Sequence, residues 1–269
     1  YNDAVYSSTT SKYDGFIAKF HPILGTITWA TYLGGDNNYN DQVSSLYFDS
    51  SDKMFLTGWT QDATFPVCTL ANATNNSFAG SYDIFVARLN TSDNFDWCTF
   101  YGSTDIDKGM SITGDNSGNT YVYGYTSSTN FPVVYTSQYH QSYVDAGDAC
   151  LVRFNSSCLC DWSTCIGGSG YDCDTYGILK CIKHSGNNLF ITGKTSSNDF
   201  PNAQNSYKGG ACDGYLCAFN SSGAMIHSEY IGGTGWDEIN ALAVDEEQRI
   251  FLTGTTNSSS GFPYQNITN

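Results

Sequence analysis

Two features of this 269-residue sequence predict an all-β protein: an aromatic-rich composition and short runs of alternating polarity. Aromatic residues make up 15%, with 20 Tyr and 16 Phe, and such side chains suit strands better than helices. Charged residues reach only 14%, too few for helices faced with ion pairs. No segment carries a sustained apolar stripe at helical spacing. The runs "KMFLTGWT", "NTYVYGYT", "NLFITGKT" and "RIFLTGTT" are each bounded by Gly, Asn, Asp or Ser, the signature of strands and turns. A third observation, internal repetition, carries the reading from sheets to an architecture.

Four segments align. The first runs from "YDGFIAKFH" (Tyr13) through "TWATYLGG", "DQVSSLYFD" and "KMFLTGWT" to "FP". The second runs from "YDIFVARLN" (Tyr82) through "DWCTFYGS", "DKGMSITGD" and "NTYVYGYT" to "FP". The third starts at "GDACLVRFN" (Gly147) and the fourth at "CDGYLCAFN" (Cys212), with the same succession. Asn90, Asn155 and Asn220 stand 65 residues apart. That period is long for a solenoid and suits a propeller blade with one long loop. "NSSC" (155–158), "NSSG" (220–223) and "DNSGN" (115–119) read as tight hairpin turns. Pro is rare and leaves the strands unbroken.

These motifs resemble the β-propeller repeat family SBBP, four times over and across essentially the whole chain. The resemblance implies a propeller and a surface or secreted setting, and it brings no catalytic residue with it. The expected architecture is one β-propeller domain over 1–269, built from four repeats with four antiparallel strands per blade. The expected blades are 41–103, 107–170, 174–235, and 237–269 together with 1–38. The N-terminal strands would complete the last blade and close the ring, removing an exposed sheet edge. The rival arrangement is a stretch of a longer array. The opening "YNDAVYSS" lacks an initiator Met and a signal peptide, as a mature product or a piece of a longer protein would.

The net charge of −15 offers no basic footprint for nucleic acid and disfavours an anionic membrane surface. No apolar run reaches the roughly 20 residues that span a bilayer. Cations, basic partners or plain solubility remain compatible with it.

Ten cysteines need an explanation: Cys68, Cys98, Cys150, Cys158, Cys160, Cys165, Cys173, Cys181, Cys212 and Cys217. The densest stretch, "FNSSCLCDWSTCIGG" (154–168), reads C-x-C-x4-C, which is not the paired spacing of a zinc site. In the sibling repeats Cys158 aligns with Asp93 and Gly223, Cys160 with Phe95 and Met225, and Cys165 with Phe100, Tyr230 and Tyr32. The repeat itself therefore requires no sulfur there. Strict alternation sets Cys158 and Cys160 on one face and Cys165 on the other. His21, His140, His184 and His227 are scattered. Disulfides in an oxidising compartment are the expected state, with at least one link in or beside the third repeat and the pairing open.

The triplet N-x-[ST] occurs at Asn72, Asn75, Asn90, Asn155, Asn220, Asn257 and Asn266. These are candidate glycan acceptors on exposed turns and loops, although Asn90, Asn155 and Asn220 also suit plain turn formation. Acids recur after the Gly-Gly element: Asp36 and Asp41, Asp105 and Asp107, Asp172 and Asp174, Asp237 and Glu238. Capping of the turn into the next strand is the favoured role, and Ca2+ is the one cofactor they admit. Trp29, Trp97, Trp162 and His227 share one repeat position and read as packing between blades rather than a sugar platform. No nucleophile elbow, Cys–His pair or phosphate loop appears.

The expected function is accordingly a non-catalytic, secreted or cell-surface structural or adhesive glycoprotein, self-associating or bound to matrix partners, as in a surface filament. The alternatives are a carbohydrate- or protein-binding module that uses loops 61–81, 127–146, 196–212 and 257–269, and a polysaccharide-acting enzyme.

Overall fold

The computed structural model describes residues 12–36, 39–68, 76–134, 141–173 and 181–263. Every regular element among them is a strand, and the strands pair antiparallel in sequence order. β1 (Gly15–Phe20) and β2 (Ile27–Leu33) form a two-stranded sheet. β3 (Asp41–Phe48), β4 (Met54–Thr60), β5 (Asp83–Leu89) and β6 (Phe95–Tyr101) form the first complete four-stranded sheet. β7 (Asp107–Gly114), β8 (Thr120–Thr126), β9 (Asp148–Phe154) and β10 (Cys160–Ile166) form the second. β11 (Ile182–Ser185), β12 (Asn188–Thr195), β13 (Asp213–Asn220) and β14 (Met225–Ile231) form the third. β15 (Asp237–Val244) and β16 (Ile250–Thr256) end the series as another two-stranded sheet.

Hairpin chemistry sets this meander. After β5, β9 and β13 the Asn side chain accepts backbone N–H bonds two and four residues on. Asn90 Oδ1 takes Ser92 N and Asn94 N, Asn155 Oδ1 takes Ser157 N and Leu159 N, and Asn220 Oδ1 takes Ser222 N and Ala224 N. The fourth turn residue takes a left-handed φ: 60° at Asp93, 61° at Cys158 and 78° at Gly223. After β1, His21 plays the Asn part, with Nδ1 accepting from Ile23 N and Leu24 N.

The sheets stack face to face. Ile84, Val86, Trp97 and Tyr101 of the first complete sheet meet Ile112, Val122, Val152 and Phe154 of the second. Tyr121, Tyr123, Leu151 and Trp162 of the second meet Leu189, Ile191, Tyr215 and Phe219 of the third. β5 and β8 bury every residue because both of their faces are covered. Trp97 and Trp162 are fully buried here, with Trp97 edge-on to Phe154 at 5.2 Å. Close approach within a sheet requires glycine at a repeated position of the second strand: a side chain on Gly58 would collide with the Gln42 carbonyl and the Phe85 ring, and one on Gly124 or Gly254 with the Lys108 or Glu238 carbonyl.

A β-bulge recurs at the start of each outer strand, and it corrects the facing expected for the cysteines. Register shifts between Phe95 and Trp97 opposite β5, and between Cys160 and Trp162 opposite β9. One inserted residue reverses the alternation beyond it. Cys160 and Cys165 therefore lie in the same layer, together with Cys158, instead of on opposite faces. The inserted residues Asp96 and Asp161 turn outward and pair with arginine, Asp96 to Arg88 Nε at 2.8 Å and Asp161 to Arg153 at 2.9 Å.

Truncating a fully buried ring between two sheets removes packing on both. Trp97→Ala should lower unfolding free energy by about 3–5 kcal/mol in a urea titration, whereas Ile23→Ser on an exposed turn should stay within about 0.5 kcal/mol.

Candidate functional site

Each sheet-to-sheet junction is built on two aspartates. One stands at the entry to a sheet: Asp41, Asp107 and Asp237 open β3, β7 and β15, and Asp172 precedes β11. The other belongs to the sheet before it: Asp83, Asp148 and Asp213 open the third strands β5, β9 and β13, and Asp14 immediately precedes β1. Backbone bonds bring them together. Asp107 N donates to Tyr82 O at 2.8 Å, Asp172 N to Gly147 O at 2.9 Å and Asp237 N to Cys212 O at 2.9 Å, in each case beside the earlier aspartate. A side chain on Gly167 would press on both carboxylates, coming within 2.8 Å of Asp172 Oδ2, so glycine there leaves the space they share.

The first series caps the turn after the preceding outer strand. Oδ2 of Asp41, Asp107, Asp172 and Asp237 accepts from Gly35 N (3.1 Å), Ser103 N (2.7 Å), Gly168 N (2.7 Å) and Gly233 N (2.7 Å). Ser128, Ser197 and Ser258 add hydroxyl donors to the last three. This is the capping role that the sequence suggests for these four residues. Asp36 and Asp105 are exposed. Asp174 lies outside the described residues, and Glu238 faces Lys194 at 3.6 Å.

The second series was not visible as a site in the sequence, although its members recur in "YDGF", "YDIF", "GDAC" and "CDGY". Asp83 accepts from Ala79 N and Gly80 N, Asp148 from Val144 N at 2.9 Å, and Asp213 from Lys208 N at 2.7 Å. Asp148 Oδ1 and Asp213 Oδ1 are buried without a hydrogen-bond partner. Burial pushes these carboxyls up: Asp148 to about 7, and Asp41, Asp83, Asp172 and Asp213 to about 6. Asp172 raises Asp148 further, as two carboxyls sharing a buried space resist joint ionisation. The chemistry available is proton retention near neutrality. Among the described residues no three His, Cys, Asp or Glu side chains converge into a metal-binding group.

The other expected residues disperse over the molecule. Asn90, Asn155 and Asn220 sit at half-buried hairpin turns, and Asn155 Nδ2, the atom a glycan would occupy, donates to Asp161 at 2.7 Å. Asn257 is exposed, with Oδ1 accepting from Trp236 N. Asn72, Asn75, Asn266 and His140 lie outside the described residues. Of the ten cysteines, eight are buried and Cys68 and Cys160 are half-buried.

Antiparallel sheets of two to four strands, stacked in sequence order and made from one recurring unit, are an all-β repeat architecture that fits a β-propeller. The family model for the SBBP β-propeller repeat matches residues 228–263, from the end of β14 through β15 and β16 and just beyond, so the chain carries that repeat. No curated protein matches the sequence. No helix among the described residues is long and apolar enough to cross a membrane.

The raised carboxyls set a pH dependence. The folded state holds these protons more tightly than the unfolded chain, whose aspartates titrate near 3.8. Their contribution is therefore complete below about pH 4 and is lost as pH rises through 6 to 7. Thermal unfolding at pH 8 should come several degrees below that at pH 5. Asp148→Asn, which mimics the protonated group, should remove on the order of 1–3 kcal/mol of that difference.

Proposed function

We propose that this chain is a non-catalytic structural or adhesive scaffold of the secreted or cell-surface space, and that it assembles by joining the edge of β16 to the edge of β1 of another copy. Joined, β15–β16 and β1–β2 make a fourth four-stranded blade. The same union within one chain would close the expected ring of four blades.

The observation that carries this reading is an exposed groove of about 630 Å3 beside β1, lined by Tyr13, Gly15, Phe16, Val43, Leu46 and Trp59 among others. One sheet further on, the matching space is filled: β4 pairs with β5 and packs on β7. Transferring the β4–β5 register sets Gly254 opposite Phe16, Leu252 opposite Ala18 and Ile250 opposite Phe20. Phe16 is 70% exposed, whereas Phe85, its counterpart seated over Gly58, is fully buried. Main-chain pairing supplies affinity in such strand addition, and the alternate side chains supply register. Contacts of this head-to-tail kind propagate rather than self-limit unless the rotation closes. The turn residues that follow Asn90, Asn155 and Asn220 are exposed, and with the net charge of −15 they suit a glycosylated exterior.

Hydrogen exchange and light scattering over a dilution series test the union together. Assembly between chains predicts mass that rises with concentration and β16 amides that gain protection with it. Phe16→Asp should weaken association by about tenfold or more. A monomer with β1 and β16 protected at every concentration would mean intrachain closure, and unprotected edges throughout would end the reading.

A further inference from the structure

We propose that Cys150 and Cys165 are the partners of a cross-strand disulfide that staples the second complete sheet. The register sets Cys150 on β9 directly opposite Cys165 on β10. Cys165 N donates to Gln141 O at 2.8 Å, away from β9, so the two residues form a non-hydrogen-bonded pair. Such pairs bring Cα atoms to about 4.5 Å, within the span of roughly 4.4–6.8 Å that a disulfide bridges. Both side chains are fully buried and point into one layer, the apolar contact with the first complete sheet.

The repeat itself adds an independent argument. The same cross-strand position holds Phe16 opposite Tyr32, Phe85 opposite Phe100 and Tyr215 opposite Tyr230 in the other sheets. These three sheets carry an aromatic residue on both strands at that place, and in the two complete ones a third ring packs on both: Phe65 on Phe85 and Phe100, and Phe200 on Tyr215 and Tyr230. In the remaining sheet both partners are cysteine. The substitution is thus made on both strands at once, and two facing thiols can supply as a covalent link the cross-strand tie that the aromatic cluster supplies in the sibling sheets. The other thiols of this region have different neighbours: Cys158 faces Arg88 at 3.3 Å, Cys160 the Tyr101 hydroxyl at 3.3 Å and Cys173 the Tyr123 hydroxyl at 3.4 Å.

A small-molecule disulfide such as oxidised glutathione serves as oxidant. One cysteine thiolate attacks it, forming a mixed disulfide and releasing one small thiolate. The second cysteine thiolate displaces the other small thiolate and forms the protein S–S bond. Two protein thiols and one small disulfide thus become one protein disulfide and two small thiols, which take up the two protons. Burial holds both thiols well above their ordinary value, with Cys165 raising Cys150 further, so the exchange belongs to folding, before the sheets dock.

The test needs no cell. The chain is refolded in a glutathione redox buffer, its remaining thiols are alkylated in denaturant, and it is digested without reduction. A peptide pair linking Cys150 to Cys165 is expected. Chain folded fully reduced should melt roughly 5–10 °C lower, and oxidised glutathione added to it after folding should leave the pair open. Cys150→Phe combined with Cys165→Tyr rebuilds the sibling pair and should fold alike in either buffer, apart from any effect of the other cysteines. Recovery of both residues alkylated after oxidative refolding, or of either one linked elsewhere, overturns the proposal. The result is independent of the assembly proposed above, since it is read on single chains at high dilution.

Discussion

Everything in this molecule depends on flat apolar faces being covered by the next sheet. A four-stranded antiparallel sheet with residues such as Val86, Val122 and Ile191 at its centre is apolar on both sides, so it cannot stand alone in water. Stacking solves this locally, because each sheet needs only its two neighbours. The burial patterns follow directly. β5 and β8, inside the stack, are covered throughout, whereas β16, at its end, stays largely open to solvent. Phe16 and Phe251 are exposed for the same reason, occupying positions that neighbouring sheets cover elsewhere.

Polar chemistry then decides how the stack is held in register. The junction aspartates satisfy backbone N–H groups exposed where the chain leaves one sheet and enters the next. Burying a carboxyl is unfavourable, and the favourable response is to keep the proton, which is why several of these groups hold theirs up to pH 6 or 7. The same residues therefore fix the geometry of the junction and make it sensitive to pH. The bulges do comparable work at the outer rim. They release Asp96 and Asp161 to the arginines and rotate the tryptophans into the interior of the stack.

The repeat's variations are as informative as its constants. Asn90, Asn155 and Asn220 hold one turn, and His21 holds the equivalent turn with a ring nitrogen, so the position demands an acceptor rather than a particular residue. The left-handed residue three places on tolerates Asp93, Cys158 or Gly223. Cys158 thus occupies a turn position, while Cys150 and Cys165 occupy a packing position, and the two environments assign these sulfurs different roles.

Much of this was legible in the residues alone. Composition, the strand-length runs and their spacing determined all-β structure, the repeat and its turns, because each of those rests on contacts between near neighbours in the chain. The capping of Asp41, Asp107, Asp172 and Asp237 was readable for the same reason: the N–H groups they satisfy lie four to six residues away. Only the tertiary structure decided which faces the cysteines share, because one inserted residue per bulge inverts an alternation that the sequence leaves unmarked. It alone joined Asp148 to Asp172 and set Cys150 against Cys165, since those pairings are made by the stacking of sheets and the register of strands. A side chain's long-range partner is chosen by the surface that excludes water from it, and that surface exists only once the sheets have packed.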